Sequence, residues 1–282
     1  MIKAQKLATK EWFRDLRDQT IKIFLEIENS NSSPKKINKF QIKKWKRKLE
    51  QGKDTGGGTM AIMHGEIFEK VGVNISTVYG KFNSRFKKQV SGASKTGKFW
   101  ASGISVVAHM KSPHIPSFHF NTRYIVTENS WFGGGMDMTP SFINVKNKNA
   151  LHNNLEAMCN KHSKKYYKKF SKQCEEYFYL PHRDETRGDG GIFFDHLNTD
   201  KFDRDFSFVK DVGKSFLTIA PEIIYKDIDK KWSDKDKIRQ KIKRGRYAEF
   251  NLLYDRGTRF GLETGGNIDA ILMSMPPEAI WK

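Results

Sequence analysis

Polar and apolar side chains alternate along two segments near the middle of the chain, on either side of a turn flanked by prolines. Alternate residues of a strand share a face, so Ser105 and His109 would lie on one face of the first strand. His119, Asn121 and Arg123 would lie on one face of the second strand. The pattern predicts a hairpin with one polar and one core-facing surface. The residues expected to face the core are Val106, Ala108, Met110, Phe118, Phe120 and Tyr124.

The polar face of this hairpin is a candidate functional surface. A hairpin centred near His114 would pair His109 with His119 and Ser105 with Arg123, because directly opposed residues project to the same side. The face would then carry two imidazoles, an amide, a hydroxyl and a guanidinium. A polar face that only meets solvent is the alternative, since antiparallel sheets commonly have one such face. Exposed strand faces favour Lys, Glu and Thr, so the residue types favour function.

Helices and strands are both predicted in the rest of the chain. Strands that precede most of the helices indicate an α+β domain with a largely antiparallel sheet. Neither a linker nor an internal repeat divides the chain, and we expect a single domain. The triple glycine 56–58 permits close backbone approach but specifies nothing by itself. Predicted helices cover residues 8–28, 66–71, 148–179, 203–228 and 233–254; predicted strands beside the hairpin cover 40–45, 59–63, 73–79 and 131–140.

Composition supports a folded, strongly basic protein. The 282 residues are 37% hydrophobic and 13% aromatic, which is typical of a packed core. Fifty-one Lys and Arg against 32 Asp and Glu give a net charge of +19. Such an excess suits nucleic acid or an anionic substrate, and a general bias of composition toward lysine is the alternative explanation. The chain has no zinc-finger spacing, aromatic RNA-binding signature or glycine-rich phosphate loop, so we expect no nucleic-acid partner, and a basic nucleic-acid-binding protein is kept as an alternative.

Cysteine content and hydropathy bear on the compartment. Cys159 and Cys174 lie in a lysine-rich stretch and are expected to be free thiols in a reducing cytosol. Lys22 and Glu26 interrupt the early apolar run at residues 21–27, which excludes a signal-peptide core or a membrane span there. We therefore expect a cytoplasmic protein without a membrane span.

Six segments, in the same order along the chain, resemble the oxygen-dependent coproporphyrinogen III oxidase family. The resemblance covers nearly the whole chain, and six collinear matches are highly specific. It implies one domain over residues 1–282, with helices on both faces of a large flattened antiparallel sheet, and a homodimer to whose contact residues 247–282 contribute. It also implies that O2 oxidises two propionates of coproporphyrinogen III to vinyl groups, releasing CO2 and giving protoporphyrinogen IX. The segments are residues 65–74, the hairpin, 131–140, 177–183, 190–195 and 249–277.

The resemblance also implies functional residues. His119 resembles the family's proton donor, and Asp255 resembles a carboxylate that could orient or accept pyrrole protons. Two departures affect propionate binding: Asn267 stands where the family usually has Arg, and Asp189 stands where an apolar residue is common. The implied substrate contacts are Ser105, Asn121, Thr122, Arg123, Arg256, Gly265, Gly266 and Asn267; the implied metal ligands are His109, His119, His152 and His182.

These residue types suit an anionic tetrapyrrole. The guanidinium groups of Arg123 and Arg256 can each bind a carboxylate through two hydrogen bonds. Imidazole titrates near neutral pH, so His119 is the candidate proton shuttle. We expect O2 to be the only co-reactant strictly required, and a divalent metal stays an alternative because imidazole binds several transition metals. A metal-dependent oxygenase or hydrolase on another anion is the rival function, although the chain has no His-Glu-x-x-His motif.

Overall fold

The predicted hairpin lies at the centre of a seven-stranded antiparallel sheet. In the computed structural model, residues 1–30, 38–47, 52, 54–82, 87, 90–263 and 265–282 are described. Within them the strand order is β1-β2-β3-β4-β5-β6-β9, and each neighbouring pair is antiparallel. The bounds are β1 Gln41–Lys46, β2 Gly56–Met63, β3 Phe68–Lys81, β4 Lys98–Met110, β5 Ser117–Val126, β6 Ser130–Thr139 and β9 Gly191–Leu197; β7 Tyr179–Leu180 and β8 Glu185–Thr186 form a separate pair.

Helices cover both faces of the sheet, so the predicted α+β class is confirmed. The first, fourth and second helices pack on the apolar face, where Phe216 stacks on Phe120 of β5 at 4.8 Å. The fifth helix lies on the opposite face, where the ring of Tyr247 is 5.0 Å from that of His109. The bounds are α1 Ile2–Asn29, α2 Val145–Asn160, α3 Tyr166–Tyr177, α4 Phe202–Asp227, α5 Asp234–Leu253, α6 Arg256–Glu263 and α7 Ile268–Ile271, followed by a 3₁₀ turn, Leu272–Ser274.

Strand β5 shows the predicted alternation most clearly. Its residues are half-buried and buried in strict turn along its whole length. The six residues expected to face the core are all buried in the main hydrophobic cluster. The predicted polar residues Ser105, His109, His119, Asn121 and Arg123 therefore lie on the opposite face of the sheet, under α5 and α6.

The register of the hairpin differs from the prediction. Ser105 pairs with Asn121 and Val107 with His119, so the centre is at Pro113 rather than His114. The turn closes early because the Ile115 N–H donates to the Ser112 carbonyl. Each residue thus meets a partner two positions earlier than expected. A shift of two residues leaves each side chain on the same face, so the predicted polar surface is unchanged.

The predicted short helix at residues 66–71 is wrong. The segment enters β3 at Phe68. The carboxylate of Glu28, at the end of α1, accepts the backbone N–H groups of Glu66, Ile67 and Phe68 at 2.5–3.1 Å. These long-range bonds satisfy donors that a helical turn would otherwise leave without partners.

One other prediction needs correction, one strand was missed, and one prediction is confirmed. Residues 148–179 form α2 and α3 rather than one helical stretch, and strand β9 was not predicted from periodicity. Both cysteines are buried free thiols, as expected. In the described residues, the helices are all too short or too polar to cross a bilayer.

Candidate active site

A cavity of about 680 Å³ lies on the polar face of the sheet. Its floor is formed by β3 to β6, and α6, α7 and the 3₁₀ turn form part of its wall. Aromatic side chains line it, including Tyr177 and Phe193, which stack at 4.1 Å, and Phe99. The volume lies in the range of ordinary small-molecule sites, about 300–1,000 Å³. Five arginines and three acidic residues are among the described lining residues, so the cavity is suited to an anionic ligand.

A line of hydrogen bonds crosses the cavity floor from Arg123 to Arg187. Arg123 donates to Asn121 Oδ1 at 3.1 Å, and Asn121 Nδ2 lies 3.2 Å from His119 Nε2. His119 Nδ1 lies 2.6 Å from Asp137 Oδ1, and Arg187 donates to the other oxygen of Asp137. A guanidinium only donates, so it fixes the amide with its oxygen toward Arg123 and its nitrogen toward His119. His119 Nε2 is then an acceptor, and Nδ1 carries the proton.

The carboxylate of Asp137 is buried, and so is the guanidinium of Arg187. Burial acts to raise the pKa of Asp137, but the charges of Arg187 and His119, together with their hydrogen bonds, outweigh it and lower the pKa. Three aromatic rings enclose the Arg187 guanidinium, and that of Phe178 is nearest at 3.9 Å. The ionised carboxylate can therefore stabilise positive charge that forms on the neighbouring imidazole.

A second group of charges lies at the far side of the floor. Arg123 reaches Asp195 of β9 at 3.1 Å, and Arg256 at the start of α6 lies 3.5 Å from the same carboxylate. A side chain at Gly133, between these strands, would collide with the Arg123 guanidinium at 2.8 Å. Gly133 therefore lets Arg123 lie across β6. Burial acts to raise the pKa of Asp195, but Arg123, His196 and Arg256 lower it overall.

Asp255 is positioned by its own hydrogen bonds. Its Oδ1 accepts the Tyr177 hydroxyl at 2.8 Å, and its Oδ2 accepts the Thr258 N–H at 2.6 Å. Burial and the adjacent Asp255 carboxylate raise the pKa of Tyr177, which keeps this hydroxyl protonated as a donor. Both carboxylate oxygens are therefore engaged in holding the start of α6, next to Arg256.

Comparison with known proteins decides the family. The model of the family described as coproporphyrinogen III oxidase matches residues 8–282. The chain belongs to the coproporphyrinogen III oxidase family. It is 52% identical over 283 residues to the oxygen-dependent coproporphyrinogen-III oxidase of Rickettsia bellii (strain OSU 85-389), covering 100% of both chains. The enzymes of that name from Rickettsia africae (strain ESF-5) and Rickettsia akari (strain Hartford) are each 52% identical over 275 residues, covering 97% of both chains.

Most residues that the coproporphyrinogen oxidase resemblance implies come together in this cavity. Both implied catalytic residues line it, one on β5 and one immediately before α6. The hydroxyl, amide and guanidinium of the predicted hairpin face line it as well, so periodicity and family resemblance point to the same surface. The residues brought together are Ser105, His119, Asn121, Thr122, Arg123, Asp255, Arg256, Gly266 and Asn267.

Three implied substrate contacts differ from the others in how the structure places them. Thr122 is among the lining residues, but it is 1% exposed and alternates with Asn121 and Arg123, so its side chain points to the opposite face of β5. Gly265 is not among the lining residues; its φ of +71° serves the turn between α6 and α7. Asn267 does line the cavity, but its Oδ1 caps α7 by accepting the Ala270 N–H at 2.9 Å.

The four histidines implied as metal ligands do not converge, and in each of them both ring nitrogens already have partners. His109 contacts Ser117 and the Ser274 carbonyl, and His152 contacts Tyr167 and the Asp189 carbonyl. Among the described residues, no three His, Cys, Asp or Glu side chains are grouped to hold a metal ion. These residues do not fit a four-histidine centre.

His182, the last of the four histidines implied as metal ligands, lies outside the cavity lining. Its Nε2 is 2.7 Å from Glu249 Oε2 on α5, and its Nδ1 is 2.8 Å from the Tyr254 hydroxyl. Glu249 also accepts hydrogen bonds from Arg183 and from Trp281 in the C-terminal segment. The hydrogen bonds of Arg183 and His182 lower the pKa of Glu249 to about 2, although burial opposes them. His182 therefore belongs to an ionic cluster that fixes the C-terminal segment on α5.

Sequence reasoning missed three charged or hydroxyl residues of the site. Asp137 pairs directly with His119, and the alternation continued through β6 would have placed it on the same face. Arg187 and Tyr177 come from segments outside the sheet, so periodicity carries no signal for them. Their partners are separated from them by 50 and 78 positions in the sequence.

Proposed function

We propose that the protein catalyses the oxygen-dependent oxidative decarboxylation of coproporphyrinogen III to protoporphyrinogen IX. The single observation that carries this proposal is the hydrogen-bonded line from Arg123 through His119 to Arg187 on the floor of a cationic, aromatic cavity. Family membership and the names of the 52% identical relatives support the same reaction.

The reaction balance defines what the site must supply. Each propionate loses its carboxylate as CO2 and a hydride equivalent from its β-carbon, which leaves a vinyl group. O2 accepts the two electrons and that hydrogen, and one further proton completes hydrogen peroxide. The site must therefore bind carboxylates and deliver one proton for each vinyl group formed.

His119 is the group placed to move that proton. Its Nε2 faces the cavity as an acceptor of the Asn121 N–H, and it can take a proton from a pyrrole N–H when the substrate replaces that amide as its partner. Loss of this proton makes the macrocycle more reactive toward O2. The Asp137 carboxylate, 2.6 Å from Nδ1, stabilises the resulting imidazolium. Nε2 can then give this proton to the reduced oxygen, which completes hydrogen peroxide, and a proton from solvent restores the pyrrole N–H. We assign Asp255 to holding α6 and Arg256 rather than to taking the pyrrole proton, because its hydrogen bonds to the Tyr177 hydroxyl and to the backbone N–H of Thr258 fix the start of α6.

Arg123 and Arg256 are the proposed propionate-binding residues. They approach one carboxylate, Asp195, from β5 and α6, which brings two guanidinium groups to one end of the cavity. A tetracarboxylate substrate offers several acceptors to this pair. We expect Arg123→Ala to raise KM by about tenfold or more, in line with the loss of hydrogen bonds to a charged group.

No metal is needed for the steps assigned to these residues, and we propose O2 as the only co-reactant. The engaged ring nitrogens of the four histidines support this proposal. Turnover by enzyme treated with chelator, with its metal content measured alongside, tests it. Undiminished turnover at negligible metal content is the expected result, and activity that returns only with added metal would overturn it.

We propose a cytoplasmic homodimer as the working form. The two buried free thiols suit a reducing compartment. Large apolar side chains between residues 247 and 282 are exposed, as in Leu253 (52%), Ile268 (61%) and Trp281 (57%), and their burial would favour association. Light scattering coupled to size exclusion should give twice the chain mass of 32.7 kDa. A mass of one chain at assay concentration would reject the dimer.

The function is tested by supplying coproporphyrinogen III with and without O2 and following protoporphyrin fluorescence after chemical oxidation of the product. We expect product only in the aerobic reaction. Equal product without O2, or none with it, would refute the proposed function.

A further inference from the structure

A hydrogen bond between Trp45 and Asn74 lies on the cavity wall, apart from the groups already assigned. Trp45 Nε1 donates to Asn74 Oδ1 at 3.0 Å, and both residues line the cavity. Trp45 belongs to the edge strand β1 and Asn74 to β3, so the indole must pass over β2. The bond therefore depends on space above the intervening strand.

Gly58 provides that space. It pairs with Trp45 across β1 and β2, and a Cβ built there would lie 2.5–2.6 Å from two indole carbons. A side chain at this position would thus displace the indole. This explains one member of the triple glycine, whose role the sequence alone left open.

The indole fixes which way the Asn74 amide points. An indole N–H only donates, so its partner must be the amide oxygen. The Asn74 amide nitrogen, with two N–H donors, is then left for the cavity. Among the described residues it has no protein partner.

Ser105 adds a donor beside Asn74. The two residues pair directly across β3 and β4, so their side chains project to the same side about 4.5–5.5 Å apart. Both line the cavity, and the Ser105 hydroxyl also has no partner among the described residues. An ionised carboxylate accepts hydrogen bonds only, and neighbouring hydroxyl and amide donors match its two oxygens.

The Asn74 side of this donor pair is separated from Arg123. Arg123 lies on β5, two strands from Asn74, which corresponds to about 10 Å between strand axes. One carboxylate cannot bridge that distance, so the two ends of the floor would bind different carboxylates of a ligand.

We propose that Asn74, oriented by Trp45, binds one substrate carboxylate together with Ser105. The proposal rests on the proposed function, which supplies the tetracarboxylate ligand. Asn74 contacts the substrate in this arrangement, and Trp45 is a positioning residue that acts through it. The site would contribute to substrate affinity rather than to proton transfer.

Asn74→Asp is the primary test. It keeps the shape and the bond from Trp45 but presents a negative oxygen to the cavity. We expect KM for coproporphyrinogen III to rise about tenfold to hundredfold with a smaller change in kcat. Affinity for coproporphyrin III, the stable oxidised tetracarboxylate, measured by its fluorescence anisotropy, should fall by a similar factor.

Two further variants and one control complete the test. Asn74→Ala removes the donors without adding charge, and it keeps the proposal testable should the aspartate variant fail to fold. Trp45→Phe keeps a ring but frees the amide to turn, so its loss of affinity should be smaller than that of Asn74→Ala. Asn149→Asp makes the same charge change at an exposed position on α2 and should leave affinity within about twofold.

The outcomes separate this proposal from the function itself. An active wild type, together with Asn74→Asp and Asn74→Ala variants that bind coproporphyrin III within twofold of wild type, would overturn the carboxylate site alone. A wild type that neither turns over coproporphyrinogen III nor binds coproporphyrin III would overturn the function on which it rests.

Discussion

His109 and His119 occupy the same face of one hairpin, yet they have opposite environments. His119 lies in the cavity with its side chain 17% exposed and an ionised carboxylate at Nδ1. His109 is 1% exposed, covered by Tyr247 of α5, and bonded to a carbonyl at Nε2. Burial, together with the positive charges of Arg244 and Lys70, lowers the pKa of His109 to about 3. Residue type and strand face are therefore not enough to identify a catalytic histidine. The histidine must also be left uncovered by the helix packed on that face.

The largest effect should come from removing the exposed imidazole. His119→Ala deletes the group that takes and returns the proton, and general acid–base catalysis contributes about 10² to 10⁴-fold to rates. We expect kcat for coproporphyrinogen III to fall by that factor, while thermal stability changes little. The matched control is His64→Ala, outside the cavity lining, which should keep wild-type kcat. Normal turnover in His119→Ala would remove His119 from the mechanism.

The second effect concerns the buried pair behind His119. Asp137→Asn leaves the Arg187 guanidinium buried without its counter-charge, which typically costs about 3–5 kcal/mol of folding free energy. Urea unfolding measures the loss. Arg187→Met removes the buried cation but leaves the Asp137 carboxylate buried, so it should also destabilise. If both variants unfold at the wild-type urea concentration, the pair has no structural role.

The covered histidine should affect stability without affecting chemistry. His109→Leu fills the site with an apolar side chain but leaves the Ser274 carbonyl and the Ser117 hydroxyl without their partner. We expect a loss of about 1–3 kcal/mol in the free energy of unfolding and a kcat close to wild type. A kcat loss as large as that of His119→Ala would show that the two histidines act together after all.

The last prediction is the pH dependence that His109 should give to the stability of the fold. His109 has a folded pKa of about 3 against an ordinary value of 6.5, so the unfolded chain binds one more proton between these values. Its contribution to stability is full above pH 6.5 and is lost as the pH falls toward 3, with a slope of up to about 1.4 kcal/mol per pH unit. His109→Gln should flatten this part of the stability curve. An unchanged slope would mean that other groups carry it.

The cavity floor was predictable because strand alternation is local. Ser105, His119, Asn121 and Arg123 needed only the period of a strand. The predicted register of the hairpin was wrong because the turn between Ser112 and Ile115, rather than the strands, determines the centre of the hairpin. Its consequence was small, since a shift of two residues preserves the face.

The interactions that were missed all join distant parts of the chain. Arg187 reaches Asp137 from outside the sheet, and Glu28 holds the start of β3 from the end of α1. Periodicity carries no information on such pairs. The need for glycine at positions 58 and 133 also depends on distant residues. The Trp45 side chain lies over Gly58 and the Arg123 side chain lies over Gly133, and a Cβ at either position would collide with them. Close approach of this kind is set by neighbouring strands rather than by neighbouring residues.

Nitrogen-15 NMR of histidine-labelled enzyme tests the central claim most directly. The line from Arg123 to Arg187 requires neutral His119 to carry its proton on Nδ1 and to present an unprotonated Nε2 to the cavity. At a pH well above the ordinary histidine range, the resonance lost in His119→Ala should show the Nδ1–H tautomer. An Nε2–H tautomer at His119 would contradict the account, because the ring would then have no acceptor to offer the substrate.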